Sequence, residues 1–232
     1  MNRKFIIGDI HGCLNTFNAL LDQFKLEKTD FLYLLGDYID RGPDSKGVID
    51  RILKLKEDGY QVIALRGNHE QMFIDSYRAE VDNNWFSITD KELLNSFNVL
   101  KISEIPADYI EFCNELPYFH EDDDFILVHA GMNFESENPL ADKKALLWAR
   151  NWYEEINYDW LGSKKIIHGH TMQSVADTKS QFKELNNTQI IDIDCGACVS
   201  KYKAEGLGQL CGLDYTNKKL YFQENIEVSN NF

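Results

Sequence analysis

Residues 4–24 read "KFIIGDIHGCLNTFNALLDQF", an apolar run that breaks at Gly8 and Asp9 and resumes as a segment with apolar residues at i, i+3 and i+4 spacing. A short continuous apolar run bounded by glycine suits a buried strand, and the spaced pattern suits an amphipathic helix. The unit then repeats. "DFLYLLGD" (30–37) is strand-like, "SKGVIDRILKLKEDG" (45–59) is helical and closes on a glycine, and "YQVIALRGN" (60–68) is strand-like again. Strand, helix, strand, helix, strand joined by short gaps predicts a parallel sheet with helices on its faces.

The second half has another rhythm. "DFILVHAG" (124–131), "KKIIHGHT" (164–171), "TQIIDIDCGA" (188–197), "GQLCGLDY" (208–215) and "KLYFQE" (219–224) are strands with mostly short gaps, which predicts a second sheet packed with the first. Residues 70–118 combine helical segments and polar breaks, so they are expected to form an excursion, with aromatics such as Trp85 and Phe86 serving as core. With no repeat and no linker rich in Pro, Gly or Ser, residues 1–232 are expected to form one α/β domain.

Composition narrows the function. Lys and Arg number 24 against 38 Asp and Glu, a formal charge of −14, which disfavours binding to nucleic acid through its phosphate backbone. An anionic substrate must then be held by local positive charge or by metal. No apolar stretch reaches the length of a signal or a membrane span, so a soluble cytoplasmic protein without a membrane partner is expected. Five scattered cysteines do not suggest a disulfide framework, and Cys195 and Cys198 lack the second pair of a zinc ribbon, so reduced buried thiols are expected.

In α/β sheets ligands collect beyond the carboxyl ends of the strands. Those ends carry Asp9 and His11 in "GDIHG", Asp37, Asp40 and Arg41 in "GDYIDRG", and Asn68 and His69 in "RGNHE". Later ends carry His129 in "HAG" and His168 and His170 in "HGHT". Taken singly, Asp9 and Asn68 fit helix N-caps, Asp40 and Arg41 a turn ion pair, and His129 and His170 core imidazoles. Independent caps and core residues have no reason to recur at strand after strand. Asp, Asn and His together offer the oxygen and nitrogen donors that suit Mn²⁺, Fe or Zn²⁺, with no thiolate among them. An Asp can bridge two such ions, which hold a hydroxide able to attack phosphorus, while arginines clamp the phosphoryl oxygens.

These five motifs, in this order, resemble the signature of the PPP-type phosphoprotein phosphatases within the metallophosphoesterases, particularly the small bacterial and phage members. "DIDCGA" extends the likeness weakly to Ala197. The resemblance implies a sandwich of two mixed β-sheets flanked by helices, with two divalent metal ions at one edge, Mn²⁺ being the first expectation. By motif position Asp9 and His11 would bind one ion, Asp37 would bridge, and Asn68, His129 and His170 would bind the other. His69 would be the general acid, oriented by Asp40; Arg41 would clamp phosphate, and Arg150 in "LLWARN" would supply a second, looser clamp. Arg66, Gly67 and Glu70 would shape the turn. His168 has no role in the pattern, and a buried imidazole is the plainer expectation.

The implied reaction is hydrolysis of phosphate monoesters on a phosphorylated protein or a small phosphoester. The alternative is hydrolysis of diadenosine polyphosphates by the same metal site. The bacterial dinucleotide hydrolases tend to carry Ala where Asp40 stands and Asp where Glu70 stands, and both positions here point to the phosphatase.

Overall fold

The computed structural model describes residues 2–81, 91–199 and 205–227; Trp85 and Phe86 lie outside them. Strands β1 (Lys4–Ile7), β2 (Phe31–Leu34) and β3 (Gln61–Ala64) pair in parallel, joined by helices α1 (Leu14–Phe24) and α2 (Ser45–Glu57). This is the alternation that the first 68 residues predict. Asp44 caps α2 by accepting the Gly47 N–H at 2.8 Å. Cys13 gives α1 no side-chain cap, and its Thr16 N–H donates instead to Glu227 at 2.8 Å. The C-terminal segment is thereby fastened to the first helix.

A second sheet contains β4 (Phe119–Glu121), β5 (Phe125–Val128), β6 (Lys165–His168) and β7 (Ile190–Asp192), in that order. It too is mixed, antiparallel between β4 and β5 and parallel beyond. The last two predicted strands do not join it. Strand β8 (Gln209–Asp214) returns to the first sheet and pairs antiparallel with β1, followed by β9 (Lys219–Glu224), giving the order β3-β2-β1-β8-β9. Strand β1 is thereby paired on both sides, and β9 becomes an edge of the sheet. Apolar alternation marks a segment as a strand without naming its partner.

Side chains alternate across each sheet as the two-residue period requires. Ile6, Tyr33, Phe125, Leu127, Ile167 and Ile191 meet between the sheets, joined by Cys211 and Leu213 of β8. Phe5, Ile7, Leu32 and Leu34 face the other way, under Phe17, Leu20 and Phe24 of α1 and Val48, Ile49 and Ile52 of α2. On the far side Ile126, Val128 and Ile166 are covered by Leu146 of α6 (Lys143–Trp148) and by Trp152 and Leu161. The layers are helix, sheet, sheet, helix.

The described residues of the 70–118 excursion are largely helical. Helix α3 (Asn68–Val81), α4 (Lys91–Phe97) and α5 (Ala107–Glu115) contribute Phe73, Ile74, Leu93, Ile110 and Phe112 to the same core that α1 and α2 cover. Arg66 ties this layer to the strand ends, donating to Gln71 at 2.8 Å and to the Asn114 carbonyl at 2.6 Å, with its guanidinium over the Tyr118 ring. Among the described residues no helix is long and apolar enough to cross a membrane.

Candidate metal centre

The parallel strands of both sheets end at one edge, and the motif residues gather there, nearly all of them removed from solvent. Asp37 is the hub. Its carbonyl accepts the Ile10 and His11 N–H groups at 3.1 and 2.8 Å, locking the loop after β2 to the loop after β1. Its carboxylate faces two imidazoles: Oδ2 lies 3.5 Å from His11 Nε2, and Oδ1 lies 3.4 Å from His129 Nε2. One oxygen thus addresses each side of the centre.

Each of those imidazoles is oriented from behind. His11 Nδ1 is 2.9 Å from the Ile39 carbonyl and His129 Nδ1 is 3.0 Å from the Leu35 carbonyl. A carbonyl can only accept, so each Nδ1 carries the proton and each Nε2 presents a lone pair to the centre. Asn68, the first residue of α3, brings its Oδ1 to 2.9 Å from His129 Nε2 and 2.8 Å from His170 Nδ1. Asn68 Oδ1 and His129 Nε2 therefore meet lone pair to lone pair, an arrangement that a shared cation satisfies.

Asp9 does not cap α1, the bland reading of its position. Both of its oxygens accept the His170 N–H, at 3.2 and 3.3 Å, joining the first sheet to the second. Two sets of groups bring their donor atoms within 4.8 Å of one another: His11, Asp37 and His69, and Asp37, His129 and His170. The first of these contains His69 where the sequence pattern has Asp9.

Backbone strain is concentrated here. His11, Asp37, Asp40, Arg41 and His170 all have positive φ, between 48° and 72°, although none is glycine. Such conformations cost roughly 1–2 kcal/mol per residue and persist where the surroundings over-determine them. At Gly36 and Gly67 the ends of β2 and β3 nearly touch. A Cβ on Gly67 would lie 2.2 Å from Asp37 Oδ1 and 2.3 Å from its N, so no other residue fits.

The electrostatics suit cations. Burial lowers His11 to about 3 and His170 to about 3, and lowers His129 as well, so these rings are neutral ligands at physiological pH. Burial raises Asp9 well above the carboxylate range, helped by the charges of Asp194 and Asp37. Burial acts the same way on Asp37, but the imidazoles of His129, His11 and His69 outweigh it and hold Asp37 below the ordinary value. Buried neutral imidazoles, an amide oxygen and crowded carboxylates form a set that divalent metal fits.

Around this set stand the other predicted residues. His69 Nδ1 is 2.5 Å from Asp40 Oδ2, and Asp40 is held in turn by its N–H to Ser45 Oγ at 3.0 Å. Arg41 reaches across, Nη1 at 2.9 Å from His11 Nε2 and Nη2 at 3.2 Å from His69 Nε2. Arg150 lies exposed at the rim and donates to Thr171 Oγ1 at 3.1 Å. Divalent ions would supply Lewis acidity and a water activated at neutral pH.

Several neighbours have structural work. Glu70 is fully buried and accepts the N–H groups of Asp37, Tyr38 and Gly67 at 2.7–2.9 Å. It braces the hub. Both nitrogens of His168 are engaged, with the Gly169 carbonyl at 3.0 Å and the Tyr153 hydroxyl at 3.1 Å, leaving none for metal. All five cysteines are free; Cys195 lies against Thr178, and Cys198 is half-buried beside Arg41. Sequence reasoning did not single out Asp192 and Asp194, both buried at the end of β7. The signal was present: two acids alternating with isoleucine inside an apolar strand.

Paired mixed sheets under helices, with a cluster of His, Asp and Asn at their common edge, form a fold of the metallophosphoesterase class. A family model described as calcineurin-like phosphoesterase matches residues 3–189, and the chain belongs to that family. It is 31% identical over 143 residues to the symmetrical bis(5'-nucleosyl)-tetraphosphatase of Buchnera aphidicola subsp. Schizaphis graminum, a match covering 61% of this chain and 49% of that protein. The chain thus spans about half the length of that relative. It is 28% identical over 174 residues to serine/threonine-protein phosphatase 1 of Salmonella typhimurium, covering 72% and 77% of the two chains. Its fold superposes on that of a serine/threonine phosphatase from Saccharomyces cerevisiae with a TM-score of 0.67 at 16% identity, covering 99% of this chain and 82% of the other.

Proposed function

We propose that the protein is a two-metal hydrolase of dinucleoside polyphosphates of the diadenosine tetraphosphate type. In this reading Asp9 and His11 would hold one ion, Asp37 would bridge, and Asn68, His129 and His170 would hold the other, with Mn²⁺ the first expectation among the Mn²⁺, Fe and Zn²⁺ that the donor set suits. Arg41 and Arg150 clamp the phosphoryl oxygens, and His69 protonates the departing oxygen. The observation that carries the substrate class is the 31% identity to the symmetrical tetraphosphatase across 143 residues. Glu70, which argued for a phosphatase as a sequence marker, is fully buried and its carboxylate is taken up by three backbone amides. Its identity therefore does not weigh against the nucleotide.

A second reading, a phosphomonoesterase acting on phosphoserine, phosphothreonine or phosphotyrosine, has one observation of its own. The short Asp40–His69 contact builds a proton donor. A nucleoside diphosphate leaves as a stable anion and has little use for one, whereas an alkoxide requires it. The deciding experiment measures kcat/KM of Mn²⁺-loaded protein for diadenosine tetraphosphate beside phosphoserine, phosphothreonine and phosphotyrosine peptides. A specificity constant at least tenfold higher for the dinucleotide is expected. The reverse order replaces the first reading by the second, with the metal residues unchanged.

A further inference from the structure

Asp194 has a carboxylate oxygen that nothing in the reaction as described uses. The residue is 1% exposed, and its Oδ2 has no partner among the described residues. Its other oxygen, Oδ1, accepts the Gly196 N–H at 2.8 Å and so closes a local turn. A buried unpaired carboxylate oxygen is costly, and its persistence calls for a positive partner.

The position names the partner. The backbone at Asp194 packs on the β1 end: a Cβ at Gly8 would meet the Ile193 carbonyl at 2.4 Å and the Asp194 N at 3.5 Å. The side chains of Asp9 and Asp194 converge beside Gly169, where an added Cβ would lie 2.2 Å from Asp9 Oδ1 and 3.7 Å from Asp194 Cβ. Asp194 therefore stands beside Asp9, at the edge where the β1 end meets the loop that follows β6. Two carboxylates, each at most 2% exposed, are held side by side with no lysine or arginine bonded to either among the described residues.

We propose that Asp194 is a positioning residue for the cation held by Asp9 and His11. Its Oδ2 faces that ion's surroundings, and its charge sets how tightly the ion is bound. The inference rests on the two-cation reading and names a residue which that reading leaves out.

Asparagine separates this role from a structural one, because its Oδ1 still accepts the Gly196 N–H while the charge is gone. Mn²⁺ titration calorimetry of the metal-stripped full chain, with metal content checked by mass spectrometry, should show two sites in the wild type. Asp194→Asn should weaken one of them by about 10- to 100-fold, the range for residues that support metal ligands, and leave the other within about threefold. Asp194→Ser, which also keeps an acceptor for the turn, should behave alike. Both variants should melt, metal-free, within a few degrees of the wild type. Two sites of unchanged affinity in folded Asp194→Asn would overturn the proposal. A wild type that binds fewer than two ions would overturn the two-cation reading instead, and a loss confined to protein that melts early would make Asp194 merely structural.

Discussion

His69 and Asp40 make the sharpest claims about individual side chains. If His69 gives a proton to the departing oxygen, His69→Asn should cut kcat by roughly 10² to 10⁴ for an alkyl phosphate such as phosphoserine. The loss should shrink for nitrophenyl phosphate and for diadenosine tetraphosphate, whose leaving groups are stable anions; equal losses across all three in metal-loaded protein would remove His69 from the mechanism. Burial alone would lower the His69 pKa, but the hydrogen bond to Asp40 and the charges of Asp37 and Asp40 outweigh it and raise the ring above 6.5. The acid is competent only while protonated, so activity on phosphoserine should be present below the raised value and fall as pH climbs through it. Asp40→Asn removes the principal support, and the alkaline limb of the pH profile should move to lower pH; a limb that stays in place refutes the pairing. These residues were legible because each stands within a compact motif at a strand end. Asp194 was not, because its motif is weak and its meaning lies in a neighbour, Asp9, far away in the chain.

Between strands and helices the informative feature is the junction. Strands β1 to β3 and helices α1 and α2 could be read from their apolar residues, since one face of each helix and both faces of β1 and β2 are buried, while β3 keeps an apolar run of which Ala64 is buried. The short strand β4 was not, for its pattern is exposed, half-buried, exposed and its pairing with β5 comes from the backbone. The start of α3 shows why ends matter more than interiors here. Gly67 lets the β3 end lie against Asp37, and Glu70 one turn later takes the N–H groups of both loops. Gly67→Ala should therefore push the hub apart. An overpacked site of this kind costs about 1–3 kcal/mol, and the larger effect should fall on metal. Titration calorimetry should show both Mn²⁺ affinities reduced, because Asp37 addresses both positions and Asn68 is displaced with the helix start. Wild-type Mn²⁺ affinity in Gly67→Ala would mean that the close approach is incidental.

Across the whole molecule the two sheets have different relations to the centre. Asp9, His11, Asp37 and Asn68 come from the end of the first sheet and its following helix, while His129 and His170 come from the second. The sequence pattern placed the strands but sent β8 and β9 to the wrong sheet, since apolar alternation carries no address; β8 in fact pairs with β1. The inter-sheet core holds the body of the sandwich together by apolar contact. At the ligand edge, by contrast, the contacts are polar: His170 N–H to Asp9, His129 to the Leu35 carbonyl, and both imidazoles to Asn68. Cations bound there would staple one sheet to the other. A ligand present at 100 times its dissociation constant stabilises the folded state by about 2.7 kcal/mol, and two ions act in sum. Chelation should therefore lower the melting temperature by several degrees, with Mn²⁺ restoring it. Hydrogen exchange should localise the effect, with the amides of His11, Asp37 and His170 losing protection on chelation before those of Ile6, Leu127 and Ile167. Uniform loss across both groups would mean that the ions stabilise the fold as a whole without acting as a clasp at its edge.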